Sequence, residues 1–314
     1  MTKLIQTLLD GLSVGGLYAL IALGYTMVYG ILQFINFAHS DVFVLGAWIS
    51  WVVAVRLLGL AVEAAGPGAA VPFWAAPLVL LAAMAFCGLV GFTIERFAYK
   101  PLRNAPRLNV LITAIGVSLL LENAGQLRVF FGPYPKAMPV LLPDTALGQI
   151  AGVKLHAIDV IVIGVTVVLM LALEWLIYRT KTGRAMRAVS FSTQTAALMG
   201  VNVNRVISFT FVLGSSLAAA AGFLYVMKYP AALKQPADAA WIMLGLKAFV
   251  AAVVGGIGNV RGAMLGGILI GLLEFFGVAY VNSMYRDVYV FSMLILMLLV
   301  RPTGILGRPM AEKV

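Results

Sequence analysis

Charged residues are scarce in this chain: lysine, arginine, aspartate and glutamate together make up 11% of its 314 residues. A soluble domain carries about 25% charged residues, and one of this size could not bury the 62% of hydrophobic residues found here. The scarcity excludes a soluble globular fold and indicates that lipid covers much of the surface. We predict an all-α integral membrane protein that forms a single transmembrane domain over residues 1–314.

Cysteine and histidine are also rare. The single cysteine, Cys87, excludes an intrachain disulfide, and His39 and His156 are too isolated to suggest a metal site. The glycine cluster at 255–258 lacks the Lys-Ser/Thr ending of a phosphate-binding loop, and no catalytic triad or nucleophile elbow is present. We therefore expect no enzyme activity, no cofactor and no metal. Any uphill transport must draw its energy from a partner or from an ion gradient.

Long apolar runs are what the chain has in abundance, and a run of about 20 residues can cross a bilayer as a helix. Candidate spans lie at 4–29, 42–60, 73–94, 108–130, 157–178, 206–227, 240–257, 262–281 and 287–300. The candidate at 240–257 is short, and the polar residues within 30–41 could break a helix. We therefore predict about eight transmembrane helices, or nine if one is discontinuous or re-entrant.

The net charge of +10 would point to nucleic acid in a soluble protein, but here the basic residues lie between apolar runs. Because cytoplasmic loops are enriched in lysine and arginine, we place the two most basic loops, 96–107 and 179–205, in the cytoplasm. Two predicted spans separate these loops, as this placement requires. The same alternation makes 131–156 a periplasmic loop and the C-terminus cytoplasmic, and we expect no nucleic-acid partner.

Three charged residues fall well inside predicted spans: Glu122, Lys247 and Glu274. A charge within a membrane is costly, so it indicates a partner or a function. Counting about 1.5 Å per residue places all three at a similar depth, and we predict that Lys247 pairs with Glu274 or Glu122. Such a pair could hold helices together, or it could be a gate or a contact for the ammonium and carboxylate of a substrate.

The polar stretch 36–41 (Asn-Phe-Ala-His-Ser-Asp) interrupts two apolar runs. Polar backbone at membrane depth is tolerated only where protein or water satisfies it, so this stretch is a candidate lining of a translocation path. The alternative is an ordinary cytoplasmic turn in which Ser40 or Asp41 caps the next helix.

Small residues spaced four apart predict close packing between helices. These pairs are Gly11 and Gly15, Ala218 and Gly222, Gly262 and Gly266, and Gly267 and Gly271. The alternative is that some of these small residues act as hinges or line a pore with their backbone.

The basic loop 179–205 contains a segment with helical propensity, 192–199, which Gly200 should end. A short amphipathic helix at the membrane face could lay its apolar side into a groove of a soluble partner. The alternative is a solvated basic loop that only orients the protein.

Several long motifs occur in a recognisable order along the chain. They are the first helix at 18–30, Asn-Phe-Ala-His at 36–39, Glu-Arg-Phe-Ala-Tyr-Lys-Pro-Leu-Arg at 95–103, Lys-Ala-Phe at 247–249 with Gly-Gly-Ile-Gly at 255–258, and Pro-Thr-Gly-Ile-Leu-Gly-Arg-Pro at 302–309. Together they resemble the LivH-type permeases of the high-affinity branched-chain amino acid ABC transporters, and the resemblance covers nearly the whole chain.

The resemblance implies an ATPase-coupling surface. In such permeases a cytoplasmic helix with a degenerate Glu-Ala-Ala…Gly motif contacts the ATPase subunit, and residues 195–200 occupy that place here with a threonine for the glutamate and a shorter spacing to the glycine. A second departure is Ser40-Asp41, where the family usually has Gly-Glu. The coupling residues implied are Thr195, Ala196, Ala197, Leu198, Gly200, Asn202 and Arg205.

The resemblance also implies a function, namely the permease subunit of an ATP-driven importer for leucine, isoleucine and valine in the bacterial inner membrane. The implied partners are a second homologous permease subunit, two ATP-binding cassette ATPases, a periplasmic amino-acid-binding protein and the lipid bilayer. The candidate residues of the translocation path are Asn36, Phe37, His39, Glu122, Asn123, Lys247 and Glu274. Two alternatives are a urea or short-chain amide ABC permease and, from a different class, an ion-coupled secondary transporter.

Overall fold

The computed structural model describes residues 2–60, 72–103, 105–142, 145–150 and 153–307 as a bundle of α-helices. The helices are α1 (Thr2–Leu32), α2 (His39–Trp51), α3 (Ala75–Ile94), α4 (Arg107–Gln126), α5 (Ala157–Arg179), α6 (Lys181–Phe191), α7 (Thr193–Leu198), α8 (Val203–Lys228), α9 (Ala239–Gly255), α10 (Val260–Tyr280) and α11 (Arg286–Val300). A small antiparallel hairpin of β1 (Ala146–Ile150) and β2 (Val153–His156) lies between α4 and α5. Short π-helical segments, Val52–Leu57 and Glu95–Tyr99, continue α2 and α3.

Within the described ranges, eight helices are long and apolar enough to cross a membrane. These confirm the predicted class, an all-α integral membrane protein with about eight spans. The shorter apolar helix is α9, whose 17 residues rise about 26 Å. Its length is close to the roughly 30 Å thickness of the hydrocarbon core of a bilayer, which makes it the ninth candidate span.

Helix α1 lies at the centre of the bundle, enclosed by α5, α8, α9 and α10. Small residues allow this enclosure, because Gly11 and Gly15 face Gly267 and Gly271 of α10, and a Cβ atom on Gly15 would lie 3.0 Å from the Gly267 carbonyl oxygen. Close backbones gain van der Waals contact in lipid, where no hydrophobic effect drives helices together. Of the other predicted glycines, Gly222 meets α2, and Gly262 and Gly266 meet α9. The predicted role in close packing is confirmed for these glycines.

The two basic loops lie together at one end of the bundle, which we call the basic end. The Arg103 Nη1 donates to Asn204 Oδ1 at 2.5 Å, which joins the segment after α3 to the start of α8. The C-terminal segment 301–307 packs at the same end, where the Ile305 amide donates to the Val254 carbonyl at 2.9 Å. Loops 127–142 and 229–238 meet at the opposite end, where the Lys136 amide donates to the Leu233 carbonyl at 2.9 Å. The two basic loops and the loops 127–142 and 229–238 therefore lie at opposite ends of the bundle, and the assignment of these ends to the two sides of the membrane stays a prediction.

Candidate translocation path and coupling surface

A charge cluster built around Glu274 joins four helices, and we call it the balanced cluster. Lys247 Nζ lies 2.7 Å from Glu274 Oε1 and 2.7 Å from Asp287 Oδ1. Arg286 also pairs with Glu274, and the Tyr18 hydroxyl donates to Glu274 Oε2 at 2.8 Å. The predicted pairing of Lys247 with Glu274 is confirmed. Because two cations meet two carboxylates, the cluster satisfies its own charges while it connects α1, α9, α10 and α11.

A second cluster, which we call the acidic pair, consists of Asp41 on α2 and Glu122 on α4. Both side chains line one small cavity, and the Ser118 hydroxyl donates to Asp41. No lysine or arginine of the described residues forms an ion pair with either carboxylate. Glu122, the alternative partner expected for Lys247, thus belongs to a different cluster. The neighbouring Asn123 is exposed, and its amide donates to the Leu119 carbonyl of its own helix.

The polar stretch 36–41 folds back into the bundle instead of crossing its surface. Helix α1 ends after Leu32, where Gln33 has a φ of 58°, and α2 begins at His39. The His39 Nε2 lies 3.2 Å from the Ile21 carbonyl oxygen, which is about 16 Å along α1 from its last residue. Helix α2 therefore starts inside the bundle, as the second half of a discontinuous membrane helix does.

Protein groups satisfy this buried break. The Asn36 side chain accepts a hydrogen bond from the Tyr99 hydroxyl at 2.5 Å, and both Asn36 and His39 are buried, whereas Phe37 is half-buried. The alternative with Ser40 or Asp41 as a helix cap is wrong. Ala38 occupies the cap position, where its methyl side chain can form no hydrogen bond, and the Ser40 hydroxyl instead donates to the Phe37 carbonyl at 2.9 Å.

The loop 179–205 contains two helices, of which only the second was predicted. Helix α7 lies within the predicted segment 192–199; Ser192 caps it, and Gly200, with a φ of 80°, follows its end. Helix α6 was missed because its three basic residues, Lys181, Arg184 and Arg187, made the segment look like a loop. Its apolar or small residues nevertheless recur three apart and are buried, namely Gly183, Met186 and Val189.

Most of the seven residues expected to couple to an ATPase are exposed at the basic end. Ala196 is the exception, because it is 3% exposed and anchors α7 to the bundle. Asn202 caps α8 by accepting a hydrogen bond from the Arg205 amide at 3.1 Å, so it also has a structural role. The remaining members are Thr195, Ala197, Leu198, Gly200 and Arg205, all exposed.

Large apolar side chains project from the same segment. Phe191 is 92% exposed, Leu198 88% and Met199 80%. The same loop also exposes the basic residues Lys181, Arg184 and Arg187 of α6. A surface that combines exposed apolar and basic groups in this way is suited to a protein partner. The predicted alternative of a purely solvated loop does not account for these side chains.

These observations define the class of protein: a polytopic α-helical membrane protein with charged clusters inside its bundle and a surface of exposed apolar and basic side chains at one end. Within the described residues there is no group of three or more histidine, cysteine, aspartate or glutamate side chains that could hold a metal ion. The clusters instead contain ion pairs and hydrogen-bonding groups, which are the means by which a membrane protein stabilises helices or contacts a polar solute.

Comparison with known proteins identifies the family. Residues 7–300 match the family model described as the permease component of branched-chain amino acid transport systems. The chain is 43% identical to the high-affinity branched-chain amino acid transport system permease protein BraD of Pseudomonas aeruginosa, over 99% of this chain and 98% of BraD. It is 40% identical to LivH of Escherichia coli, which carries the same description, over 99% and 97% of the two chains. No solved structure is significantly similar.

The chain belongs to the family of permease components of branched-chain amino acid transport systems. The family extends to more distant relatives, since the probable branched-chain amino acid transport permease LivH of Methanocaldococcus jannaschii is 26% identical over 93% of this chain. The resemblance inferred from the sequence motifs is confirmed, and the chain is a transport permease, not an enzyme.

Proposed function

We propose that this chain is the membrane-spanning subunit of an ATP-driven importer of leucine, isoleucine and valine in the bacterial inner membrane. A second homologous permease would complete the path, two ATP-binding cassette ATPases would drive it, and a periplasmic binding protein would deliver the substrate. The observation that carries this proposal is the 43% identity to BraD over 99% of the chain, together with a docking surface where an ATPase would bind.

The docking surface supports the ATPase partner. Helices α6 and α7 are held to the bundle by buried residues such as Met186 and Ala196, while Leu198 and Met199 remain exposed. The Ser190 hydroxyl of α6 donates to the Gly30 carbonyl of α1 at 2.6 Å. Movement of a partner on this surface would therefore be transmitted to the end of α1, next to the break that leads into α2.

The proposed sidedness follows from loop charge. The basic end, with loop 179–205 and the C-terminal segment, would face the cytoplasm, where positive charge is enriched. The opposite end, with loop 131–156, would face the periplasm and receive the binding protein. The whole chain, 1–314, would then act as one permease domain.

The proposed path follows the discontinuous helix. Asn36, Phe37 and His39 would line its cytoplasmic part, and Glu122 with Asn123 would lie along α4. Lys247 and Glu274 would border the path and fix its shape, because their charges are already paired within the balanced cluster.

Reconstitution of the complete transporter in vesicles tests the proposal. We expect ATP-dependent uptake of radiolabelled leucine that requires the binding protein and both ATPases. ATP hydrolysis stimulated by urea and not by leucine would instead favour the urea or amide permease. Leucine uptake by this chain without any ATPase would favour an ion-coupled transporter.

The coupling surface has its own test in the variant Gly200→Pro. Proline fixes φ near −65°, which is incompatible with the φ of 80° at Gly200, so the end of α7 must change. We expect membrane insertion to persist and ATP-driven uptake to be lost, as in a deletion of 194–200. The control is Glu174→Gln, a partly exposed side chain of α5 at the same end. Normal uptake by Gly200→Pro and by the deletion would contradict the coupling role.

A further inference from the structure

The acidic pair differs from every other buried carboxylate in the described part of the chain. Glu274 is paired with Lys247 and Arg286. Asp159 is paired with Lys228, and Glu95 with Arg103. Asp41, although only 6% exposed, has no such cation, and its neighbour Glu122 has none either. A buried carboxylate without a cation is unfavourable, so the site is suited to a cationic ligand.

An unpartnered hydrogen-bond donor lies at the same place. Trp48 is completely buried on α2, and its indole Nε1 has no hydrogen-bond partner among the described residues. The indoles of Trp51 and Trp241, by contrast, donate to backbone carbonyls at 3.1 and 3.2 Å. A buried donor without an acceptor costs free energy unless a ligand or water supplies one. Trp48 thus offers a hydrogen bond to an anionic or carbonyl oxygen.

Trp48 and the acidic pair line one cavity. Its other walls are apolar: Val44, Leu45, Leu121, Phe131 and Pro236. Phe131 stacks on the Trp48 ring with centroids 5.2 Å apart, and a Cβ atom on Gly125 would lie 2.9 Å from Pro236. Phe131 and Pro236 belong to the loops at the end opposite the basic end, so these loops close the cavity from outside.

The cavity is collapsed in this conformation. Its volume is about 10 Å³, which is room for about one water molecule. Helix α4, which supplies Glu122 and Leu121, is largely exposed along its length, whereas α1 and α2 are mostly buried. An outward shift of α4 would therefore enlarge the cavity without unpacking the centre of the bundle.

We propose that this cavity is a transit site for an α-amino acid with an aliphatic side chain. The acidic pair would receive the ammonium group, the Trp48 N–H would donate to the carboxylate, and the apolar walls would contact the side chain. The site contains one group for each part of such a molecule. This inference rests on the proposed function, because it assumes that branched-chain amino acids pass through this subunit.

The balanced cluster does not compete for this role. Its two cations and two carboxylates already form ion pairs with one another, and Glu274 also accepts a hydrogen bond from the Tyr18 hydroxyl. A zwitterion binding there would have to break existing ion pairs. At the acidic pair, the ammonium would supply a charge that the protein lacks.

Uptake by the reconstituted transporter, with its binding protein present, tests the site. We expect Asp41→Asn and Glu122→Gln each to lower leucine uptake about tenfold or more, since each removes a charge-assisted hydrogen bond to the ammonium. ATP hydrolysis stimulated by the liganded binding protein should stay near the wild-type rate, which shows that the complex has assembled. Glu122→Asp should retain more uptake than Glu122→Gln, and the matched control Glu174→Gln should retain all of it.

A binding measurement on the wild-type assembly, without the binding protein, is independent of the variants. Leucine should raise its thermal unfolding midpoint, whereas 4-methylpentanoate, which lacks the ammonium, and 3-methylbutylamine, which lacks the carboxylate, should raise it much less. Equal stabilisation by 4-methylpentanoate and leucine would overturn the proposal. Stabilisation by sodium ions that disappears in Glu122→Gln would also overturn it, because the acidic pair would then be a metal-cation site.

The two proposals fail in distinguishable ways. If the wild-type transporter takes up no branched-chain amino acid, the proposed function is wrong. If it takes up leucine and the acidic-pair variants do so equally well, the function stands and the transit site is wrong.

Discussion

The balanced cluster and the acidic pair both place carboxylates inside the bundle, but only the first includes its own cations. Glu274 is held by Lys247, Arg286 and the Tyr18 hydroxyl, and these contacts connect four helices. Asp41 and Glu122 have each other and a serine hydroxyl. If the proposed transit site is right, the difference teaches that buried charge has two uses in this molecule. Charges that cancel would hold helices in place, whereas charges that do not cancel would be available to a passing solute.

The largest expected effect comes from removing the central carboxylate of the balanced cluster. In Glu274→Gln, Lys247 and Arg286 lose their shared buried partner, and breaking a buried ion pair in this way costs about 3–5 kcal/mol. We expect a clear fall in the thermal unfolding midpoint of the purified protein in detergent. Glu174→Gln removes a partly exposed carboxylate from the pair with Arg261 and should cost less than about 1 kcal/mol. Equal losses in the two variants would refute a stabilising role for the balanced cluster.

A smaller effect is expected from Tyr18→Phe. This variant removes one hydrogen bond to the Glu274 carboxylate but leaves both cations in place, and a hydrogen bond to a charged group contributes about 1.5–3 kcal/mol. The unfolding midpoint should fall by less than in Glu274→Gln, and leucine uptake per folded transporter should be unchanged. Lost uptake at full stability would indicate that Tyr18 belongs to the translocation path and does not only stabilise the balanced cluster.

The smallest effect on stability is expected at the acidic pair. Asp41→Asn and Glu122→Gln relieve repulsion between like charges and keep the shape of each side chain. The free energy of unfolding should change by no more than about 1 kcal/mol, or rise slightly. A loss as large as that of Glu274→Gln would mean that the acidic pair stabilises the fold as the balanced cluster does.

The fold was largely predictable from the sequence because lipid imposes strong constraints. Long apolar runs predicted the spans, and glycines spaced four apart predicted where α1 packs against α10. The pairing of Lys247 with Glu274 was predictable too, since opposite charges at one depth attract each other.

The acidic pair was not predictable in the same way. Asp41 and Glu122 are far apart in the chain and carry the same charge, so complementarity gives no reason to place them together. The indole N–H of Trp48 lacks a hydrogen-bond partner because of how the surrounding residues pack, and no local sequence pattern predicts such packing. Helix α6 was missed for another reason, because its basic residues concealed a regular spacing of buried positions.

Two variants measured side by side test the account most directly. ATP-driven leucine uptake, expressed per folded transporter, and the thermal unfolding midpoint would be determined for Glu122→Gln and Glu274→Gln. We predict that Glu122→Gln loses uptake at wild-type stability, whereas Glu274→Gln loses stability and the molecules that remain folded retain uptake. The opposite pattern, with Glu122→Gln unstable but active and Glu274→Gln stable but inactive, would contradict the division between a structural cluster and a transport site.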